Sequence, residues 1–184
     1  MENAVISLLS ARHATRAISA EAIPDDVVAE LIEAARLAPS CFNNQPWRYL
    51  FLRGGEALAK GREALAEGNR AWADRAPLLV VGYSRAEDDC RIPDGRDYHQ
   101  FDLGLSAMNL MLSATAHDLV ARPMAGFSPV KLRQAFDLAD DEEPLVMIAV
   151  GRPSDDESHL PERYRGLGDE PRERKPADEI VKML

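Results

Sequence analysis

Between Tyr98 and Leu119 the chain reads YHQFDLGLSAMNLMLSATAHDL. Phe101, Leu105, Met108, Leu112, Thr115 and Leu119 recur at alternating spacings of four and three. Leu103, Ala107, Leu110 and Ala114 form a second stripe on another side of the same turn pattern. A helix that is apolar on two sides has to be covered on two sides. In 184 residues, enough for one domain, few arrangements can do this. Either the chain's own sheet covers one side and a partner subunit the other, or the helix runs wholly inside the monomer. The pattern leaves both open. The apolar run from Leu103 to Ala116 carries serine, asparagine and threonine, and is too short and too polar to span a bilayer.

The flanking sequence supplies the rest of a layered fold. NAVISLLSARHATR reads as a helix with basic residues at its end. IPDDVVAELIEAARLAPS is a clearer one. Pro24 suits its start, Asp25 and Asp26 complement the positive end of the helix dipole, Val28, Leu31, Ile32 and Ala35 keep one face apolar, and Pro39 stops it. WRYLFLR (47–53), PLLVVGYS (77–84) and LVMIAV (145–150) read as strands. One or two helices are expected after Gly54-Gly55, a polar connection over 85–97, and a loop leading to a short helix from about Pro129. Strands that alternate with helices predict an α+β or α/β layer, with helices packed on a mixed sheet. After Pro153 the sequence becomes charged and poor in large apolar residues, which reads as a tail lying on the surface or around something else. The final EIVKML could add to a sheet edge.

Charge and side-chain chemistry exclude several functions. With 22 basic and 31 acidic residues the net charge is -9, which repels nucleic acid and acidic membranes. There is no metal-ligand spacing, nucleophile elbow or Walker loop, and the one GLG (166–168) lies in the polar tail rather than after a strand. Cys41 and Cys90 form neither a CxxC nor a disulfide framework, so a reducing cytoplasm is expected. The four histidines are scattered and read as surface or capping residues.

Two arginine pairs stand out in so acidic a chain. Arg12 and Arg16 are four apart and would share one side of a helix end. Arg172 and Arg174 alternate and would point one way from an extended segment. Both pairs could converge on a phosphate, for which the guanidinium fork is suited. The plain alternative is a solvated charge pattern. APSCFNNQPW (38–47) puts two amides, a serine and a cysteine between a helix and a strand. Its asparagines could simply cap turns, and Trp47 could be core.

Taken in order, ARHATR, LAPSCFNNQPW, the double-striped helix, PMAGF and PRERKPADEIV resemble the FMN-dependent nitroreductase family, over almost the whole chain from Leu9 to Val181. The resemblance implies an α+β fold with a mixed sheet flanked by helices. It implies a homodimer with the long central helix in its interface and the C-terminal segment (154–184) of each subunit wrapped over the other. FMN is the implied cofactor, bound at the subunit interface, with NADH or NADPH as co-substrate. Arg12, His13, Ala14 and Arg16 match the family's N-terminal flavin motif. Arg12, Arg172 and Arg174 would neutralise the FMN phosphate, and Arg16 would stand where negative charge develops on reduction. Pro39, Ser40, Cys41 and Asn43 match the segment that the partner lays against the flavin. Ala125 and Gly126 match a loop whose backbone faces the ring, and Asn69 matches an asparagine on the pyrimidine edge. Ala14 replaces a frequent serine, no lysine lies near residue 71, and the 85–97 connection is short, which implies an open substrate face. The implied reaction is ping-pong reduction of small flat acceptors such as nitroaromatics or quinones, with no catalytic side chain. Another flavin task on the same fold, or flavin binding without catalysis, is left open.

Overall fold

The α2 sequence, with two aspartates at its start and a four-three apolar stripe, forms the helix that the pattern predicts: α2 spans Asp25–Arg36 and buries Val28, Leu31 and Ala35. Its neighbour is α5, His99–Ala116. In this computed structural model, which describes residues 3–167 and 172–184, α2 and α5 lie side by side on one face of a four-stranded sheet. The strands are β1 (Arg48–Arg53), β2 (Leu78–Ser84), β3 (Val120–Met124) and β4 (Glu143–Gly151), in the order β1-β2-β4-β3. All three pairings are antiparallel. The expected α+β class is therefore present, while the sheet that the described residues build is antiparallel rather than mixed.

Side chains alternate along the central strands, so each strand feeds two cores. Leu78, Val80, Ile148 and Val150 face α2 and α5, where they meet Leu31, Ala107, Leu110 and Ala114. Leu79, Val81, Met147 and Ala149 face the other way. That second face is covered by α3 (Gly55–Ala64), α4 (Glu67–Ala73) and α6 (Pro129–Phe136), through Leu58, Trp72, Ala73 and Leu132. Full burial of each large aliphatic side chain contributes about 1.5–3 kcal/mol. α5 packs so close to the sheet that a Cβ on Gly82 would lie 3.3 Å from Leu103 of α5, besides 2.9 Å from Val146 and 3.0 Å from Tyr49 on the neighbouring strands. A polar seam joins α2 to α5: Tyr49 Oη lies 3.0 Å from Ser106 Oγ, and the Ser106 hydroxyl donates to the Ala35 carbonyl at 2.9 Å. Burial pushes the Tyr49 phenol up to about 12.

The two stripes of α5 have different fates. Leu103, Ala107, Leu110 and Ala114 are buried on the sheet and α2. Phe101 is 54 % exposed, and Leu105, Met108 and Leu112 are half-buried. The monomer thus covers one side of the helix and leaves the other only partly covered.

Two local expectations are corrected, and a third segment, the C-terminal EIVKML, pairs with no described strand of its own chain. The first helix, α1 (Ala4–Ala11), stops before Arg12, so Arg12 to Arg16 is a loop and not a helix end. VARPM, expected to be loop, is strand β3. It is an edge strand, where Pro123 has no missing ladder bond to regret on its open side. The C-terminal EIVKML begins inside the short helix α7 (Ala177–Ile180), with Met183 and Leu184 fully exposed.

Candidate functional site

Ala17 and Ile18 are buried, and the chain there pairs with the end of β4 through Ile18 and Pro153. This anchors the loop 12–16 beside β3. The Arg122 guanidinium, on β3, donates to the Ala14 carbonyl and lies 5.2 Å from the centre of the Trp72 ring. Arg16 stacks over Tyr164 at 4.4 Å, and its Nε is buried without a hydrogen-bond partner. Burial first, and Arg16 beside it, hold Arg122 below the usual guanidinium range.

The other end of the chain arrives at the same place. Arg172 donates through one terminal nitrogen to the Arg12 carbonyl and through the other to the Ser10 carbonyl. Arg172 and Arg174 line a cleft of about 400 Å³ with Ile6, Leu9 and Ser10. Arg12 is held below its usual range by burial and by the charges of Arg172 and Arg174. Among the described residues, none of Arg12, Arg16, Arg122, Arg172 and Arg174 makes an ion pair, although carboxylates outnumber cations in the chain. Cations gathered without a carboxylate among the described residues make a positive patch of the kind that suits an anion.

Beside them lies the loop after β3. Asn69, on α4, donates its side-chain amide to the Gly126 carbonyl at 3.0 Å, and Ala66 N–H donates to the same oxygen at 2.9 Å. A Cβ on Gly126 would lie 2.7 Å from Asn69 Nδ2, so only glycine permits this approach. Gly68 completes the link: its carbonyl accepts from Tyr164 Oη at 3.3 Å, and Tyr164 carries Arg16 on its ring. Of the residues expected from sequence, Arg12, Ala14, Arg16, Asn69, Ala125, Gly126, Arg172 and Arg174 are therefore brought into one neighbourhood. His13 is not directed into it. Its Nδ1 lies 3.1 Å from the Ala11 carbonyl, and the ring lines a separate cleft with Thr15, Asp155 and Glu157. Arg122, Trp72 and Tyr164 were missed. An arginine inside a short apolar segment, VARPM, was the available signal for Arg122.

Pro39, Ser40, Cys41 and Asn43 lie elsewhere. They precede β1, at the sheet edge opposite β3. Three strand spacings, about 14 Å, separate the two edges. This segment is a single 3₁₀ turn, Cys41–Asn43, followed by Asn44 in the right-handed helical region. Phe42, Asn43 and Gln45 all have positive φ, at 48°, 59° and 51°. For residues with a Cβ this costs about 1–2 kcal/mol each, so the turn is held by its surroundings. The Ser40 hydroxyl accepts from Gln45 N–H at 2.9 Å, and the Asp102 carboxylate accepts from Cys41 N–H at 2.7 Å. Phe42 is 89 % exposed at the tip. Cys41 is also disulfide-bonded to Cys90, from the 85–97 connection, with Cα atoms 6.0 Å apart. This corrects the expectation that the two cysteines are unconnected; a separation of 49 residues gave no hint of their contact.

The sequence model of the nitroreductase family matches residues 9–71 and 60–152. An NADH dehydrogenase of Thermus thermophilus is 25 % identical over 175 residues, covering 79 % of this chain and 84 % of its own. The crystal structure of an oxidoreductase containing FMN superposes with a TM-score of 0.87 at 27 % identity, over 99 % of this chain and 92 % of that one. A nitroreductase family protein of Clostridium difficile 630 superposes with a TM-score of 0.79 at 25 % identity, covering 96 % of each chain. With matched sequence running from residue 9 to residue 152 and the fold shared nearly end to end, the chain belongs to the nitroreductase family.

Proposed function

We propose that the protein is an FMN-dependent oxidoreductase that uses NADH or NADPH to reduce small flat acceptors, nitroaromatics or quinones, in a ping-pong cycle. The observation that carries this is the meeting of Arg12, Arg172 and Arg174 from the two ends of the chain, at a loop whose Arg16 stacks on Tyr164 and so reaches α4, which carries Asn69. The residues fit the cofactor. Three guanidinium groups suit a phosphate ester, and the unpartnered Arg16 Nε is a donor without an acceptor. The related oxidoreductase of known structure contains FMN.

When bound, the flavin supplies the hydride chemistry, and the protein supplies binding and electrostatics. Arg12, Arg172 and Arg174 neutralise the phosphate. Arg16 and Arg122 place fixed positive charge where reduction adds negative charge, and Arg122 takes the role of the missing lysine near residue 71. Asn69 and the 125–126 backbone orient the ring edge. No side chain acts as acid or base.

The second half of the site comes from a second copy. Pro39, Ser40, Cys41 and Asn43 stand at the sheet edge opposite the arginines, so one chain cannot lay both on a single small ring system. A homodimer does so, and it also covers the remaining stripe of α5 and the exposed Ile180, Val181, Met183 and Leu184, with the part of the 154–184 segment beyond Arg174 reaching over the partner, since Leu160 and Tyr164 pack on their own chain. No helix among the described residues is long and apolar enough to cross a membrane. A cytoplasmic location is a separate part of the proposal. The test is the absorption spectrum of the purified protein. A yellow preparation that releases FMN on denaturation and bleaches with NADH or NADPH supports the reading, and a colourless one that does not bind added FMN overturns it.

A further inference from the structure

Cys41 and Cys90 are one part of a four-residue arrangement. Cys90 N–H donates to Asp89 Oδ1 at 2.7 Å, as Cys41 N–H donates to Asp102 Oδ2 at 2.7 Å. Asp89 is 7 % exposed and Asp102 1 % exposed, and each keeps one carboxylate oxygen, Asp89 Oδ2 and Asp102 Oδ1, buried without a partner. Each cysteine backbone is thus pinned by one buried carboxyl group, and the two sulfur atoms join the pinned segments. One segment is the turn with three left-handed non-glycine residues; the other is the 85–97 connection.

We infer that Cys41 and Cys90 are a reversible thiol–disulfide exchange site for small disulfides of the glutathione type, and that closing the disulfide locks the 40–45 turn in its left-handed conformation. Cys90 lines an open cleft of about 350 Å³ that Arg91 and Arg96 share with Glu87 and Asp97, so a small disulfide that carries both carboxylate and ammonium groups, as the glutathione type does, has access there and partners of both signs. The Cys90 thiolate attacks one sulfur of the small disulfide. A mixed disulfide forms and one small thiol leaves with a proton. The Cys41 thiolate then attacks Cys90 Sγ, the intramolecular bond forms, and the second small thiol leaves with a second proton. Two electrons pass from the two cysteines to the small disulfide. In a reducing compartment a disulfide of this kind is transient and regulatory rather than structural. Its effect on the cofactor rests on the proposed flavin reading: the turn belongs to the half-site laid on the partner's ring, so releasing it weakens FMN binding.

The experiment equilibrates the full-length protein in glutathione buffers of graded ratio. Alkylation and mass measurement then count free thiols, and hydrogen exchange is followed at the amides of residues 41–45. The expected result is one two-electron transition from two thiols to none, with the amides of the reduced protein exchanging about tenfold faster. Cys41→Ser and Cys90→Ser should show the fast exchange in every buffer. Two thiols at every ratio, or exchange rates that do not follow the thiol count, overturn the inference. Protection in the reduced protein that disappears with a chelator also overturns it, because the clamp would then be a metal ion on Cys41, Cys90 and Asp89, whose ligand atoms lie within 4.8 Å of one another. FMN titration of the two redox forms reads the linked effect, about tenfold weaker binding when reduced. Failure of FMN to bind either form counts against the flavin reading alone, since thiol count and exchange do not involve the flavin.

Discussion

The guanidinium of Arg172 hydrogen-bonds the main-chain carbonyl of Arg12, 160 residues earlier in the chain. This one contact closes the chain on itself and assembles a cationic pocket that neither terminus contains alone. Replacing both Arg172 and Arg174 by alanine removes two charge-assisted donors from the surface. FMN affinity should fall about 100-fold or more, at 1.5–3 kcal/mol per donor, while circular dichroism and the thermal midpoint stay close to wild type. Retained colour after dialysis would contradict the phosphate assignment.

Gly126 and Asn69 are coupled by contact. Gly126→Ala puts a methyl group 2.7 Å from Asn69 Nδ2 and forces that side chain off the Gly126 carbonyl. The substitution should destabilise the protein by about 1 kcal/mol. In an Asn69→Ala background the same change should cost much less, because the obstructing atoms are gone. Thermal unfolding of the four proteins of the cycle measures this, and additive effects would show that the contact is not made.

Asp102 gives a pH signature. Burial, with the neighbouring Asp89 charge adding to it, raises its carboxyl above the usual carboxylate range, against the bond from Cys41 N–H. A raised acid is stabilising in its neutral form, so its contribution is complete below the unfolded pKa and is lost as pH rises through the folded value. Asp102→Asn keeps an acceptor for Cys41 N–H and does not titrate. The midpoint of the variant should therefore gain on wild type as pH rises from about 4 to 7, by about 2–4 °C for each 1 kcal/mol. A difference that is constant with pH would contradict this.

Light scattering should report twice the 20.3 kDa chain mass. Deleting residues 181–184, which include Met183 at 94 % and Leu184 at 107 % exposure, should weaken the dimer and release monomer on dilution. A monomer of the full chain at micromolar concentration would remove the basis for a shared site.

Much of this was legible in the sequence because it depends on local period and charge. The two stripes of α5 stated that two surfaces needed covering, and the aspartates before α2 marked its start. The alternation in RERK put Arg172 and Arg174 on one side. What stayed hidden depends on contacts across the chain. β3 was read as loop because Arg122 and Pro123 break its apolar pattern, yet an edge strand tolerates both. The helix boundary at Ala11 puts Arg12 and Arg16 in a loop, where no shared helix face fixes the direction of their guanidinium groups. The Cys41–Cys90 bond and its flanking carboxyl groups join segments with no shared period at all.

The central claim is that each flavin site takes its arginines from one subunit and its 39–43 turn from the other, and subunit complementation tests it directly. One variant carries Arg12→Ala with Arg172→Ala, the other carries Asn43→Tyr, and neither alone should hold FMN. After subunit exchange, each mixed dimer contains one site with both halves intact, so FMN binding should return at one flavin per mixed dimer. Confirmed mixed dimers that remain colourless in excess FMN would contradict the account.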